Sequence, residues 1–137
     1  MNDIPDPLAA EEPYPLQRTL GFTIADWAEN YARIELPIAD HLMNRYGIPH
    51  GGVYATILDT ALGFCGCYTG SGDDKRMAMT LSLNVNYLSR PKGKLLICEG
   101  RKTGGGRKTF FADGILFDET GEKIASASGV FRYRSGA

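Results

Sequence analysis

Most of the chemistry open to this chain lies in one stretch, Asn44-Arg45-Tyr46-Gly47-Ile48-Pro49-His50-Gly51-Gly52, and in Asp59, inside the helix expected to follow it. Two glycines at a helix start let another molecule approach the unpaired N–H groups of the first turn. At the positive end of the helix dipole, those amides form a donor site for a carbonyl oxygen acquiring negative charge, as acyl transfer requires. The same residues equally suit a plain loop-to-helix turn, with glycine for geometry and His50 as a cap. Asp59 has no cap to make, and on an outer helix face it would simply be solvated. Under a covering sheet, a carboxylate there is costly unless it is paired or functional.

Geometry constrains these two features. His50 and Asp59 are nine residues apart, which along a helix is about half a turn net and ~13.5 Å of rise. They cannot face one small site within one chain. Two helices running antiparallel across a twofold axis would set each helix start beside the partner's Asp59, so a shared site requires a dimer with two composite sites.

Other constellations are missing. The sequence has no G-x-S-x-G, no H-E-x-x-H and no paired C-x-x-C. Gly106 is followed by Arg107-Lys108-Thr109 out of register for a phosphate loop. With only His41 and His50, a histidine-rich metal site is a poor reading, and no metal is expected. Cys65, Cys67 and Cys98 are an odd set at unhelpful spacing; free thiols acting as small apolar filler in a reducing compartment fit better than a disulfide framework.

The elements that must position these residues follow from periodicity. Met1 to Pro15 carries Asp3, Asp6, Glu11, Glu12 and four prolines, without the basic and apolar regions of a signal peptide. Residues 1–15 are expected to be a flexible arm that orders by lying on a neighbouring subunit. Residues 16–137 are expected to be one domain. Pro15 to Leu20 suits a short helix closed by Gly21, Phe22 to Leu36 a strand or hairpin-like pair, and Ala39 to Gly47 a helical turn and loop. From Val53 to Tyr68, Ile57, Leu58, Ala61, Leu62, Cys65 and Tyr68 follow helical spacing, the single long amphipathic helix. Gly63 and Gly66 weaken it and suit a helix gripped closely by a sheet.

The period then becomes two. Met77, Met79, Leu81, Leu83, Val85 and Tyr87 point one way, with Thr80 on the opposite, polar face. Turns at Pro91–Gly93, Gly104–Gly106 and Asp118–Gly121 predict three more strands in an antiparallel meander with the first. One helix with such strands implies an α+β domain, a curved sheet wrapped on a single helix. The length of 137 residues suffices for one core. A net charge of −1 gives no basic field for nucleic acid, and no apolar run approaches the ~20 residues of a membrane span. The cytoplasm is the expected location.

Leu20-Gly21-Phe22, the run through Pro37, and above all Asn44, Gly47, His50-Gly51-Gly52 and Asp59 resemble the hotdog-fold thioesterases of the phenylacetate-degradation (PaaI-like) type. The similarity extends from about Leu16 to Tyr133 and includes Asn84-Val85-Asn86-Tyr87-Leu88. The combined asparagine, His-Gly-Gly and aspartate spacing is specific, whereas any one piece alone is weak. The resemblance implies an antiparallel sheet around a helix, homodimers joined edge to edge and often paired into homotetramers, and acyl-CoA substrates with no separate cofactor. By position, Gly51 matches the residue whose amide polarises the thioester carbonyl, and Asp59 the general base or nucleophile from the other subunit. Asn44 matches the residue that positions the attacking water or carboxylate, and His50 the one that holds the loop. Thr80 falls where some members carry a water-ordering Ser or Thr.

A thioester is activated enough that one carboxylate and a fixed dipole suffice without a metal or a triad. Arg90, Arg107 and Lys108 flank turns of the meander and could pair with CoA phosphates, though each also reads as a solvated turn residue. Tyr54, Phe64, Tyr68, Phe110 and Phe111 could line an acyl pocket or simply be core. Two other functions suit the same fold: a hydratase or dehydratase acting on enoyl or hydroxyacyl thioesters, and a non-catalytic acyl-CoA-binding regulatory module.

Overall fold

The structure, a computed structural model, describes residues 4–135. Helix α1 (Pro15–Leu20) leads into the hairpin β1 (Thr23–Ala28) and β2 (Tyr31–Pro37), turned at Asn30 with φ 63°, a left-handed conformation that asparagine tolerates. A single 3-10 turn (Asp40–Leu42) precedes helix α2 (Gly51–Cys65), and strands β3 (Ala78–Tyr87), β4 (Leu95–Gly105), β5 (Thr109–Asp118) and β6 (Lys123–Tyr133) complete the chain. All strand pairs are antiparallel in one six-stranded sheet of order β1-β2-β4-β5-β6-β3. This is the α+β hotdog architecture, a curved sheet on one main helix.

Helix α2 supplies the centre of the core, with Ile57, Leu58, Ala61, Leu62 and Cys65 fully buried at its sheet-facing stripe. The sheet admits it closely because Gly100 and Gly114 are register partners on β4 and β5. A Cβ on Gly100 would stand 2.6 Å from the Ala61 carbonyl oxygen, and one on Gly114 2.4 Å from Leu62 Cδ1. The helix starts two residues before the expected Val53 and stops at Cys65 rather than Tyr68. At Gly66 a side chain would enter the Phe110 ring at 2.4 Å, so the chain turns away there.

Strand β3 departs from expectation in two ways. It pairs with β6 at the sheet edge instead of opening a four-strand meander. The connection after it is anchored first on β6, where the Leu88 and Ser89 amides both donate to the Ile124 carbonyl, and then crosses past β6 and β5 to β4. A bulge also interrupts its pairing between Thr80 and Ser82. The extra residue, Leu81, inverts the alternation. Leu83 and Val85 pack against the core while Met79 and Leu81 are 53% and 55% exposed, so the apolar set expected on one face is split between two.

The described part of the N-terminal arm, from Ile4, lies on its own subunit. The Gly72 amide donates to the Pro5 carbonyl at 2.7 Å, and Lys75 pairs with Glu11 at 3.3 Å. The expected free arm also includes residues 1–3, which lie outside the described residues. Among the described residues no helix is long and apolar enough to cross a membrane.

Candidate active site

The loop before α2 is closed by Asn44. Its Oδ1 accepts from the amides of Tyr46 at 2.8 Å and Ile48 at 3.4 Å. Its own amide donates to the Ile48 carbonyl at 2.7 Å, and Met43 and Pro49 form an isolated bridge across the loop base. Asn44 thus shapes the approach to the helix start. His50 is the N-cap of α2, and its Nδ1 accepts from the Gly52 amide at 2.8 Å, which requires the proton on Nε2. That bond uses up the Gly52 donor. The Gly51 amide has no hydrogen-bond partner among the described residues, and it sits at the first helical position, where the dipole is most positive. The Tyr87 hydroxyl donates to the Gly51 carbonyl at 2.9 Å and ties β3 to this end of the helix.

Eight residues further along α2, about 12 Å by helical rise, half-buried Asp59 occupies a second locus. Thr80 Oγ1 donates to Asp59 Oδ1 at 2.6 Å. The bulge after Thr80 makes this possible by turning a residue of the expected polar face toward the helix. Both line a cavity of about 280 Å³ whose wall includes Tyr14, Trp27, Phe64 and Phe131. The Tyr14 phenol is held above its ordinary value, chiefly by burial; the Thr60 hydroxyl opposes this and the Asp59 charge adds to it.

The predicted residues therefore fall into two groups. Asn44, His50 and Gly51 come together at the helix start, and Asp59 and Thr80 come together one locus away. A single chain does not join them. Arg90, Arg107 and Lys108 are all exposed and do not converge. Arg90 follows the anchor at Ile124, near the start of β6, whereas the Lys108 carbonyl accepts from the Tyr133 amide at its end, ~30 Å away along an extended strand.

Of the five candidate pocket aromatics only Phe64 lines the cavity. Phe110 stacks on Phe131 at 5.0 Å in the core, Tyr68 backs Trp27 at 5.5 Å, Tyr54 is buried, and Phe111 is 47% exposed. Tyr14, Trp27 and Phe131 were not foreseen, since their own segments carry no signal of which neighbours they meet. The three cysteines are free and buried. Burial pushes the thiols of Cys65 and Cys67 up to about 12 and about 11, which leaves them protonated and inert. No cluster of metal-ligating side chains occurs among the described residues.

The sequence signature of the thioesterase superfamily matches residues 46–125, which include Gly51, Asp59 and Thr80. A protein of Halobacterium salinarum with a provisional esterase name is 34% identical over 83 residues, covering 56% of this chain and 53% of that one. The chain thus spans about half the length of the curated relatives it matches. Among solved structures, a conserved protein from Pseudomonas aeruginosa is similar with TM-score 0.80 and 23% identity over 88% of this chain and 94% of the other. A Bacillus halodurans protein solved with CoA gives 0.76 and 24% over 89% and 80%. The PaaI protein of the E. coli phenylacetic acid degradation operon gives 0.77 and 17% over 89% and 86%. On the match to more than half of its residues, and on a hotdog fold shared with these structures, the chain belongs to the thioesterase superfamily.

Proposed function

We propose that the protein hydrolyses an acyl-CoA thioester to a free acid and CoA, at two composite sites across a homodimer. The observation that carries this reading is the Thr80–Asp59 hydrogen bond of 2.6 Å at the cavity wall, which aims one carboxylate oxygen while leaving the other to work. In the proposed reaction the thioester carbonyl oxygen accepts from the Gly51 amide as it gains charge. Asp59 of the other subunit either removes a proton from the attacking water or attacks the carbonyl carbon itself. The carbon–sulfur bond then breaks. In the first case CoA leaves as a thiol by taking up that proton. In the second it leaves as a thiolate that takes a proton from solvent, after which water hydrolyses the Asp59–acyl anhydride to the free acid and restores the carboxylate. Asn44 and His50 hold the loop that presents the amide.

The free edge of β3 supports the dimer. Met77, Met79, Leu81, Tyr87 and Leu88 are each more than half exposed along it, and an apolar, unpaired strand edge invites pairing. Because Thr80 touches Asp59 and Tyr87 touches Gly51, antiparallel pairing that sets Thr80 opposite Tyr87 of the partner subunit would bring Asp59 beside the partner's Gly51. The same twofold would carry the partner's Arg90 toward the sheet end that bears Arg107 and Lys108, giving the CoA phosphates the converging cations that one chain lacks. The outer sheet face around exposed Phe111 is the surface for further pairing into a tetramer. Free, buried thiols suit action in the cytoplasm.

The test is a panel of acyl-CoAs assayed for thiol release. Wild type should release CoA from at least one member, and Asp59→Asn should lose most of that activity as a folded dimer in sedimentation. An inactive panel, or an active Asp59→Asn, contradicts the proposal.

A further inference from the structure

Gly63 lies in the last turn of α2 and Gly66 caps its end, and the two differ in what surrounds them. At Gly66 a side chain would overlap the Phe110 ring at 2.4 Å, so packing requires glycine there. At Gly63 the nearest atoms to an added Cβ are Phe131 Cε1 at 3.6 Å and Cδ1 at 3.9 Å, ordinary contact distances, and its φ is not positive. Neither crowding nor backbone strain calls for glycine, and in a helix interior it is less stable than alanine. Gly63 leaves room beside the Phe131 ring that a side chain could occupy at ordinary contact distance. It lies four residues past Asp59, on the same helix face, and lines the cavity that Asp59 and Thr80 enter.

Two other residues of the cavity wall, Trp27 and Phe131, are held in place. Trp27 donates its indole N–H to the Phe64 carbonyl at 2.8 Å and stands edge-on to Phe64 at 5.1 Å and to Tyr68 at 5.5 Å. The Phe64 carbonyl also accepts from the Cys67 amide at 2.9 Å, so the indole is tied to a carbonyl that the turn ending α2 already holds in place. Phe131 is held from behind by Phe110, stacked at 5.0 Å with 12° between the rings. With stiff walls, the depth of the cavity beyond the carboxylate is set by the residue at position 63. The cavity volume of about 280 Å³ falls just under the ~300–1,000 Å³ of most small-molecule pockets.

We propose that Gly63 is the specificity-determining position for the acyl group: the space left by its missing side chain receives the end of a compact acyl group, a short aliphatic chain or a single ring, whose carbonyl lies at Asp59. This rests on the thioester-hydrolysis reading above. A long fatty chain would have to displace the Trp27 wall.

The test compares kcat/KM for acetyl-, hexanoyl-, phenylacetyl- and decanoyl-CoA in wild type, Gly63→Ala and Gly63→Leu. Wild type should favour hexanoyl- or phenylacetyl-CoA over decanoyl-CoA. Gly63→Leu should lower the hexanoyl-to-acetyl ratio at least tenfold, and Gly63→Ala by about fourfold, the effect of one methylene that can no longer be buried. Gly63→Ala should also raise Tm, so it decides the question alone if Gly63→Leu does not fold. A wild type that releases CoA but whose ratio is unmoved by either variant, or that prefers decanoyl-CoA, overturns this inference and leaves the hydrolase reading standing. A wild type inactive on every acyl-CoA overturns the hydrolase reading itself, and this inference with it.

Discussion

Replacing Gly51 with proline would remove one hydrogen atom from the proposed chemistry and little else. Gly51 is the first residue of α2, the position where proline is favoured because the N–H has no helical partner and φ is already suitable. The preceding residue, His50, has φ −63° and ψ 138°, the extended conformation required before proline. A Cβ there would lie 3.0 Å from Tyr87 Cε1, and this exposed side chain can shift by the few tenths of an ångström needed. Stability should therefore stay level, or rise by the ~0.4–1 kcal/mol typical of a compatible proline. If the Gly51 amide is the donor to the thioester oxygen, its loss should lower kcat by about 10²–10³, equivalent to ~2.7–4 kcal/mol of transition-state stabilisation. Coupling CoA release to a thiol reagent reads this directly, since the protein's own buried, protonated thiols give little background. A folded, dimeric Gly51→Pro protein with kcat within threefold of wild type would refute the reasoning.

Other perturbations separate structure from chemistry. Thr80→Val keeps the shape but removes the donor to Asp59, and kcat should fall by about 10- to 150-fold, the ~1.5–3 kcal/mol scale of a hydrogen bond to a charge, with circular dichroism unchanged. Gly66→Ala should cost about 1–3 kcal/mol in urea unfolding through overpacking against Phe110. Fully buried Asp118 accepts from the amides of Lys92, Gly93, Thr120 and Glu122 and from the Thr120 hydroxyl. Burial alone would raise its carboxyl, but the Thr120 hydroxyl and the amides of Gly93, Lys92 and Thr120 outweigh it and hold the group well below the ordinary 3.8. The folded chain therefore binds this proton more weakly than the unfolded chain, so the stability contributed is complete above the unfolded value and is lost as pH falls through the folded one. Asp118→Asn should be less stable at pH 7 and show a flatter loss of stability below about pH 4 in denaturant titrations; an unaltered acid limb would contradict this.

Much of this design is legible in the residues themselves. The i, i+3, i+4 pattern of Ile57, Leu58, Ala61, Leu62 and Cys65 identifies α2, because a helix buried on one face must repeat with its turn. The His50-Gly51-Gly52 start and Asp59 stand out because each is unusual for a helix at its position. Less visible is what depends on distant partners. The alternation of β3 is plain, but its neighbour on β6 is not, since pleating says nothing of which strand lies alongside. Thr80 reads as outward-facing by strict alternation, and only the bulge after it, a feature of the pairing with β6, turns it toward Asp59. Gly63 and Gly66 look alike in sequence, and the surroundings alone distinguish the one that packing demands from the one it does not.

The central claim is that the helix start of one subunit works with the carboxylate of the other, and subunit mixing tests it most directly. Gly51→Pro and Asp59→Asn proteins, each inactive alone, would be unfolded together and refolded at equal concentration. In a composite site each heterodimer carries one doubly altered site and one intact site, so random pairing should restore about a quarter of wild-type activity. A mixture that forms heterodimers, as resolved by native mass spectrometry with one subunit tagged, yet stays as inactive as its parents would contradict the account.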